Sequence, residues 1–344
     1  MRKRIRGSEV MVGAEVQKVK LRGYDGLVKR FTKSAKQPSP GRRIGCPAMV
    51  LDLPPLETVD LDGPVAFRRW EGPADSTFVL LHGLGGSHLS WVQAAPGLAG
   101  LGRVFAIDMP GFGRSPKAGR PTRLMDQRRL LDGFLDANVT GPAILAGNSM
   151  GGVVALLEAA IVPDRVEGVV LTSSVYPMLR GPLPNPLVLG AFAAYDVPRL
   201  GELLVKTRSA ALDPESFVRV GLRILTSDPS TIPDDVVSLH AEMIADLRAD
   251  PDAEAAFLDA ARSITSYVKS RVAGRRAMSN VRAPVLVIHG RSDRFVPLGY
   301  AETALATYPA WRGRIFAHTG HVPQMEAPSR WLAEVADWYA AVLR

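Results

Sequence analysis

Cysteine and long apolar runs are what this sequence lacks most clearly. Its 344 residues include one cysteine, Cys46, so no internal disulfide can form and a reducing compartment is acceptable. No apolar run reaches the roughly 18 residues of a transmembrane helix. The N-terminus, MRKRIRGSEVMVGAEVQ, is basic but lacks the apolar stretch of a secretory signal. We expect a cytoplasmic protein, with peripheral membrane contact left open.

Acidic residues are scarce only at the start of the chain. Residues 1–46 hold 13 Lys and Arg against 3 Asp and Glu, whereas residues 47–344 hold 29 against 31. The net charge of +8 therefore belongs to a basic N-terminal arm, residues 1–46. We expect a solvated, partly disordered extension, and the alternative is contact with an anionic membrane surface. No nucleic-acid partner is expected, because the arm lacks interleaved aromatics and any recognisable binding module.

The rest of the chain alternates between strand and helix patterns, and 47% hydrophobic residues suffice for a full core. Short apolar runs typical of strands buried on both faces lie at 65–70, 78–81, 104–107, 143–146, 166–172, 285–288 and 314–316. Helical patterns lie between them, at 124–137, 150–161, 299–307 and 329–343. This alternation predicts an α/β fold with a mostly parallel, doubly wound sheet.

The alternation is interrupted once. From about residue 176 to 278 only helical pieces separated by prolines are found. We predict a core formed by residues 47–175 and 279–344, and a helical cap formed by residues 176–278. In an open α/β sheet the cap would cover the carboxyl ends of the strands, where ligands bind.

One stretch, LAGNSMGGVVAL at residues 145–156, places Ser149 between Gly147 and Gly151 where a strand becomes a helix. This is the context of a nucleophile elbow, in which the flanking glycines permit a strained turn and the serine hydroxyl projects from the sheet. The helix N-terminus offers free N–H groups that stabilise negative charge. A glycine-rich structural turn is the alternative.

Three further segments favour the nucleophile. In VLLHGLGGSH a glycine-rich loop follows a strand, and the Leu84 N–H could join the Met150 N–H as an oxyanion hole. In VLVIHGRSDRFVP, Asp293 lies in a polar turn after a buried strand, where a turn-forming role is the alternative. In AHTGHVPQMEAP, His321 follows the last strand. The order Ser149, Asp293, His321 is that of α/β-hydrolase triads.

From about residue 58 onward the chain resembles the α/β-hydrolase superfamily. Besides the triad, DMPGFGRS at 108–115 is similar to the family's Asp-x-Pro-Gly-x-Gly-x-Ser loop, and GHVPQMEAP at 320–328 is similar to its terminal motif. The resemblance implies that Ser149 is the nucleophile, His321 the base and Asp293 the residue that orients it. It implies no cofactor and no metal, and a zinc pair of His318 and His321 has no supporting ligands.

The resemblance leaves the substrate open. We expect a serine hydrolase that cleaves carboxylic esters with a hydrophobic acyl or alcohol group, because the segment YPMLRGPLPNPLVLGAFAAY of the predicted cap is apolar and rich in Pro and Leu. Packing of this segment against the core is the alternative explanation of its apolar character. GNSMGG also resembles the elbow of hydrolases that cleave carbon–carbon bonds in ring-fission products. Against that alternative, a Ser-Gly-Pro-Gly loop is missing at 83–86 and Val322 stands where those enzymes have Trp. A cofactor-free haloperoxidase or perhydrolase and a non-catalytic ligand receptor are the remaining alternatives.

Overall fold

The computed structural model describes residues 53–73, 75–177 and 183–343. The basic N-terminal arm and Cys46 lie outside these residues, so the predictions made for the arm are not addressed by the fold. Among the described residues, no helix combines the length and the apolar character needed to cross a membrane.

The described residues form one sheet of eight strands, in the order β1-β2-β4-β3-β5-β6-β7-β8. The pairs β1–β2 and β2–β4 are antiparallel and the remaining pairs are parallel. The predicted α/β class with a mostly parallel sheet is confirmed. The strands are β1 Leu56–Asp60, β2 Pro64–Trp70, β3 Thr77–Leu81, β4 Arg103–Ile107, β5 Ala143–Asn148, β6 Val166–Thr172, β7 Val285–Gly290 and β8 Arg312–Phe316.

Burial explains which strands the sequence predicts well. Every residue of β3, β5 and β7 is buried, as expected for central parallel strands covered on both faces. At the sheet edges, β1 alternates between exposed and partly buried residues, and β8 does the same up to its last residue, the buried Phe316. The sequence of β1, LETVD, is short and polar, so no apolar run marks it as a strand.

Helices cover both faces of the sheet. One core cluster packs Phe134, Val154 and Ala301 against one face, and another packs Trp91, Trp331 and Trp338 against the opposite face. The helices are α1 Ala95–Leu98, α2 Leu124–Asn138, α3 Met150–Ile161, α4 Pro186–Tyr195, α5 Leu200–Ala210, α6 Pro214–Leu225, α7 Asp234–Ala249, α8 Ala253–Lys269, α9 Arg271–Asn280, α10 Leu298–Thr307, α11 Pro323–Glu326 and α12 Pro328–Val342.

Helices α4–α9 all lie between β6 and β7 in the chain. Two apolar clusters join these inserted helices to loops at the carboxyl ends of the strands. Leu84, after β3, packs in a cluster with Tyr195 and Phe257. Val322, after β8, packs in another cluster with Leu222 and Val236. That the inserted helices act as a substrate-covering cap stays a prediction.

Candidate active site

Ser149 occupies a strained turn between β5 and α3. Its backbone has φ 52° and ψ −111°, a conformation that non-glycine residues rarely adopt and that is typical of functional sites. The turn is held because the Ser149 N–H donates to Thr172 O at 3.0 Å, while the N–H of Gly152 donates to Ser149 O at 3.1 Å. The side chain stays partly exposed, whereas Met150 beside it is fully buried.

The glycines of the elbow are required by close backbone contacts. A Cβ on Gly147 would lie 2.2 Å from the Gly151 carbonyl carbon, and a Cβ on Gly151 would lie 2.3 Å from Leu81 O. Both positions therefore exclude any larger residue without a backbone shift. The sequence pattern Gly-x-Ser-x-Gly is thus a requirement for packing α3 against β5 and the end of β3.

The glycine-rich loop after β3 lies directly against Ser149. A Cβ on Gly83 would lie 3.3 Å from Ser149 Cβ, so the two backbones are in near contact. The loop closes through a hydrogen bond from Gly86 N to Gly83 O at 3.0 Å, with Gly85 at φ +72°. The Leu84 N–H of this loop and the Met150 N–H at the start of α3 are the two donors predicted for an oxyanion hole. That function stays a prediction.

His82 fixes this loop in place. Its Nδ1 donates to Gly83 O at 2.8 Å, and its Nε2 accepts from Met109 N at 3.0 Å. Burial lowers the pKa of His82 below its ordinary value, which agrees with a neutral ring that donates on one side and accepts on the other. His82 is therefore a tether between two loops.

Asp293 and His321 meet at the carboxyl ends of β7 and β8. His321 Nδ1 donates to Asp293 Oδ2 at 2.8 Å, and both side chains are almost fully buried. The second carboxylate oxygen accepts from the N–H groups of Phe295 and Val296 at 2.8 and 2.9 Å. Burial alone would raise the pKa of Asp293, but the imidazole of His321, the neighbouring His289 and the backbone donors hold it below its ordinary value.

The His321 ring is fixed on a further side by Phe295. The two rings are stacked, with centroids 5.1 Å apart and an interplanar angle of 29°. With Nδ1 engaged by Asp293 and the face covered by Phe295, Nε2 is the remaining polar atom of the ring. This is the tautomer and orientation that a general base requires.

Asn148 connects the elbow to the histidine loop. Its Nδ2 donates to His321 O at 3.0 Å and to Thr172 O at 3.1 Å, and the residue is buried. Ser149 is the next residue in the chain, so this amide sets the position of Ser149 relative to His321. A direct hydrogen bond between the Ser149 hydroxyl and the His321 ring is not among those formed by the described residues.

Glu326 joins the histidine loop to the inserted helices. One carboxylate oxygen accepts from Gly320 N at 2.7 Å, and the other accepts from Ser227 N and Asp228 N at 2.8 and 2.9 Å. His321 N in turn donates to Leu225 O at 2.6 Å. The loop that carries His321 is thus bonded to the last residue of α6 and to the segment that follows this helix.

The sequence alone does not indicate the contacts of Asn148, Glu326 and Asp108, although all three stand in the motifs quoted above. Asp108 is buried and accepts from His88 Nδ1 at 2.9 Å and from Arg114 N at 2.8 Å. The sequence feature that could have indicated these contacts is a polar residue at a fixed place inside an otherwise apolar or glycine-rich motif.

Of the other histidines, His318 is exposed in a turn, and His289 donates to Val296 O at 2.9 Å.

Comparison with known proteins places the chain in a family. The sequence model of one family, described as alpha/beta hydrolase fold, matches residues 76–328. A 2-hydroxymuconate semialdehyde hydrolase from Pseudomonas sp. strain CF600 is 30% identical over 277 residues, covering 76% of this chain and 86% of its own. A 2-hydroxy-6-oxononadienedioate/2-hydroxy-6-oxononatrienedioate hydrolase from Burkholderia vietnamiensis is 28% identical over 274 residues, covering 78% and 88%.

A solved structure is similar over most of the chain. The serine hydrolase from Cycloclasticus zankles, a bacterium that degrades polyaromatic hydrocarbons, superposes with a TM-score of 0.67 at 22% identity, covering 83% of this chain and 98% of its own. This likeness concerns the fold. Together with the family match, it establishes that the chain belongs to the alpha/beta hydrolase family and is a hydrolase of that fold.

Proposed function

We propose that the protein is a serine hydrolase with Ser149 as nucleophile, His321 as general base and Asp293 as the residue that orients the base. The observation that carries the proposal is the buried 2.8 Å hydrogen bond from His321 Nδ1 to Asp293 Oδ2, on a loop that Asn148 bonds to the elbow. The strained backbone of Ser149 supports it, because such strain is retained where a side chain must be presented.

The chemistry follows from the hydrogen bonds. A serine hydroxyl is a weak nucleophile at neutral pH, and His321 Nε2 would take its proton during attack. Asp293, whose pKa lies below its ordinary value, stays ionised and stabilises the imidazolium that forms. The N–H groups of Leu84 and Met150 would stabilise the oxyanion, each contributing a few kcal/mol. His321 would then protonate the leaving group, and water would hydrolyse the acyl-enzyme.

Carboxylic esters with a hydrophobic acyl or alcohol group are the substrates that we propose first. The loops on both sides of the candidate site are covered by apolar side chains of the inserted helices, Phe257 over Leu84 and Leu222 over Val322. A hydrophobic substrate group would replace such contacts at little cost in desolvation.

Hydrolysis of a carbon–carbon bond in a ring-fission diketone is the second candidate. It is favoured by the two curated relatives, at 28% and 30% identity, whose names describe hydrolases of this kind. Those names concern the relatives, and Val322 still stands where such enzymes carry Trp. The same serine machinery would serve either bond.

One set of assays tests both candidates. A panel of p-nitrophenyl esters of increasing acyl length and one ring-fission diketone are supplied to the unaltered protein, to Ser149→Ala and to Ser238→Ala. Ser238 is an exposed serine on α7 and serves as the matched control. We expect ester turnover that Ser149→Ala abolishes and Ser238→Ala preserves. Turnover of the diketone alone would replace the first candidate by the second, and turnover retained in Ser149→Ala would contradict both.

A further inference from the structure

Exposed apolar side chains are concentrated in one part of the inserted helices. Among the described residues, ten large apolar side chains are exposed, and seven of them lie between β6 and β7. Six of these seven fall within residues 183–203, with exposed fractions of 38–68%: Leu183, Leu187, Leu189, Val197, Leu200 and Leu203. Single exposed leucines are ordinary on a protein surface, whereas a group of this kind marks a surface that contacts a partner or a membrane.

Helix α4, within this segment, has no charged side to present to water. Residues 181–195 contain no charged side chain, and their one amide, Asn185, caps the helix by accepting from Leu187 N at 2.9 Å. Of the ten residues of α4 only Tyr195 is buried. A helix that is apolar on all sides is normally enclosed by a protein core or by lipid. The described residues leave α4 apolar and largely uncovered.

Helix α9 carries a concentration of positive charge without compensating carboxylates. Residues 269–282 contain five Lys and Arg and no Asp or Glu. Arg271, Arg275 and Arg276 are exposed, and so is Val272 beside them, at 83%. Within the part of the chain that the structure describes, none of these three arginines forms an ion pair. Because like charges four residues apart weaken a helix, this arrangement favours an anionic partner rather than the stability of α9 itself.

Two contacts hold α9 beside the apolar segment. Lys269, at the end of α8, pairs with Asp196, the residue that follows α4, at 3.0 Å. A Cβ on Gly274 of α9 would lie 2.4 Å from Pro177 Cβ, so α9 packs closely against the chain that leads into the inserted helices. The exposed side chains of residues 183–203 and those of α9 are therefore neighbours, and together they are called the apolar–basic surface.

The charges around the apolar segment favour an anionic occupant. The two carboxylates within residues 183–203, Asp196 and Glu202, are already paired with Lys269 and Arg262. The arginines of α9 have no such partner among the described residues, so the charge left over is positive. A second copy of the chain fits poorly, because a symmetric interface would bring the same arginines of both copies to one contact surface. An anionic lipid surface supplies both an apolar phase and negative charge.

We propose that the apolar–basic surface docks onto an anionic lipid bilayer. The leucines enter the boundary between headgroups and acyl chains, and the arginines of α9 pair with lipid phosphates. Each half-exposed leucine gains burial of its remaining apolar surface, and each arginine close to the membrane strengthens binding about fivefold. This contact is separate from the candidate active site, and it does not depend on Ser149 being a nucleophile.

Vesicle binding of the full chain tests the proposal, because the side chains concerned are exposed and can be replaced without disturbing the fold. The vesicles contain phosphatidylcholine and phosphatidylglycerol in equal parts, and urea midpoints check that every variant is folded. Leu187→Ser should weaken binding by about fivefold, and Arg275→Gln combined with Arg276→Gln by about 10- to 30-fold. The matched controls are Ile161→Ser, at 49% exposure on α3, and Arg129→Gln on α2. Both controls should bind within about twofold of the unaltered protein, because charges beyond a Debye length are screened.

A second measurement reports the entry of α4 into the bilayer. The fluorescence of Leu187→Trp should be quenched by vesicles whose acyl chains are brominated, whereas that of Ile161→Trp should change no more than in the unaltered protein. Ser149→Ala should bind the vesicles as the unaltered protein does. Vesicle binding therefore separates failure of this proposal from failure of the serine hydrolase function.

The proposal is overturned if the unaltered protein does not bind the mixed vesicles. It is also overturned if Leu187→Ser and the arginine variant bind as tightly as the controls, since the basic N-terminal arm would then account for the binding. Equal quenching in the two tryptophan variants has the same consequence. So does a dimer in vesicle-free solution that Leu187→Ser dissociates, because the surface would then be an interface between copies of the chain.

Discussion

The amide of Asn148 provides the sharpest test of how the site is assembled, because it is the side chain that bonds the elbow to the histidine loop. In Asn148→Ala, His321 O and Thr172 O both lose their hydrogen bond to Nδ2. Thr172 O still accepts from Ser149 N, so its loss is about 1 kcal/mol. Loss of the hydrogen bond to the buried His321 carbonyl should cost a further ~1–2 kcal/mol, the penalty for a buried unsatisfied acceptor. The free energy of unfolding should fall by about 2–3 kcal/mol.

The effect on catalysis should exceed what stability alone explains. The loop carrying His321 gains freedom relative to Ser149, and a displacement of about 1 Å at a reacting centre costs on the order of 100-fold in rate. We therefore expect kcat for an activated ester to fall by about 10- to 100-fold at a temperature where the variant is fully folded. Urea unfolding and steady-state kinetics on the same preparation give the two values.

Asn138→Ala is the matched control, since Asn138 Nδ2 also donates to a backbone carbonyl, Phe134 O at 3.1 Å, but at the end of α2 and partly exposed. It should cost about 0.5 kcal/mol and leave kcat unchanged. If Asn148→Ala loses stability while kcat stays within about twofold of the unaltered protein, Asn148 does not position the site and the reasoning is wrong.

Two further predictions concern packing and pH. Gly147→Ala should destabilise the fold by about 3 kcal/mol or more, because the new Cβ would lie 2.2 Å from the Gly151 backbone. Gly221→Ala is the control: its Cβ would lie in open space on α6, and it should stabilise the fold by about 0.5–1 kcal/mol. Urea unfolding midpoints compare the two variants, and equal effects would refute the packing argument. Burial raises the pKa of Glu158 from 4.5 to about 7 despite Arg128 at 3.0 Å. Because the folded state keeps this proton after the unfolded state has lost it, unfolding free energy should fall as pH rises from 4.5 to about 7. Glu158→Gln should flatten that slope, and an unchanged slope would contradict the assignment.

The sequence predicts the central sheet well, because its parallel strands are buried on both faces and their apolar runs are unmistakable. The sequence does not reveal β1, because apolar and polar residues alternate within its five positions. This strand lies at the sheet edge and pairs with one antiparallel neighbour. Edge strands depend on pairing with a strand elsewhere in the chain, and no local pattern reports that pairing.

The site divides in the same way. Ser149, Asp293 and His321 can be proposed from the sequence because glycine spacing and chain order carry the signal. Asn148 forms hydrogen bonds with residues 24 and 173 positions away in the chain. Its contacts, like those of Glu326 and Arg208, therefore depend on tertiary structure. An arginine on a helix surface is ordinarily solvated, and nothing local indicates that Arg208 stacks between two rings.

Covalent labelling of the folded protein with a fluorophosphonate, followed by mapping of the modified peptide, tests most directly whether Ser149 is an activated nucleophile. Only a serine activated by a neighbouring base reacts quickly with this probe. We expect one adduct, on Ser149, formed rapidly in the unaltered protein and slowly in His321→Ala. An adduct at another residue, or labelling as fast in Ser149→Ala as in the unaltered protein, would contradict it.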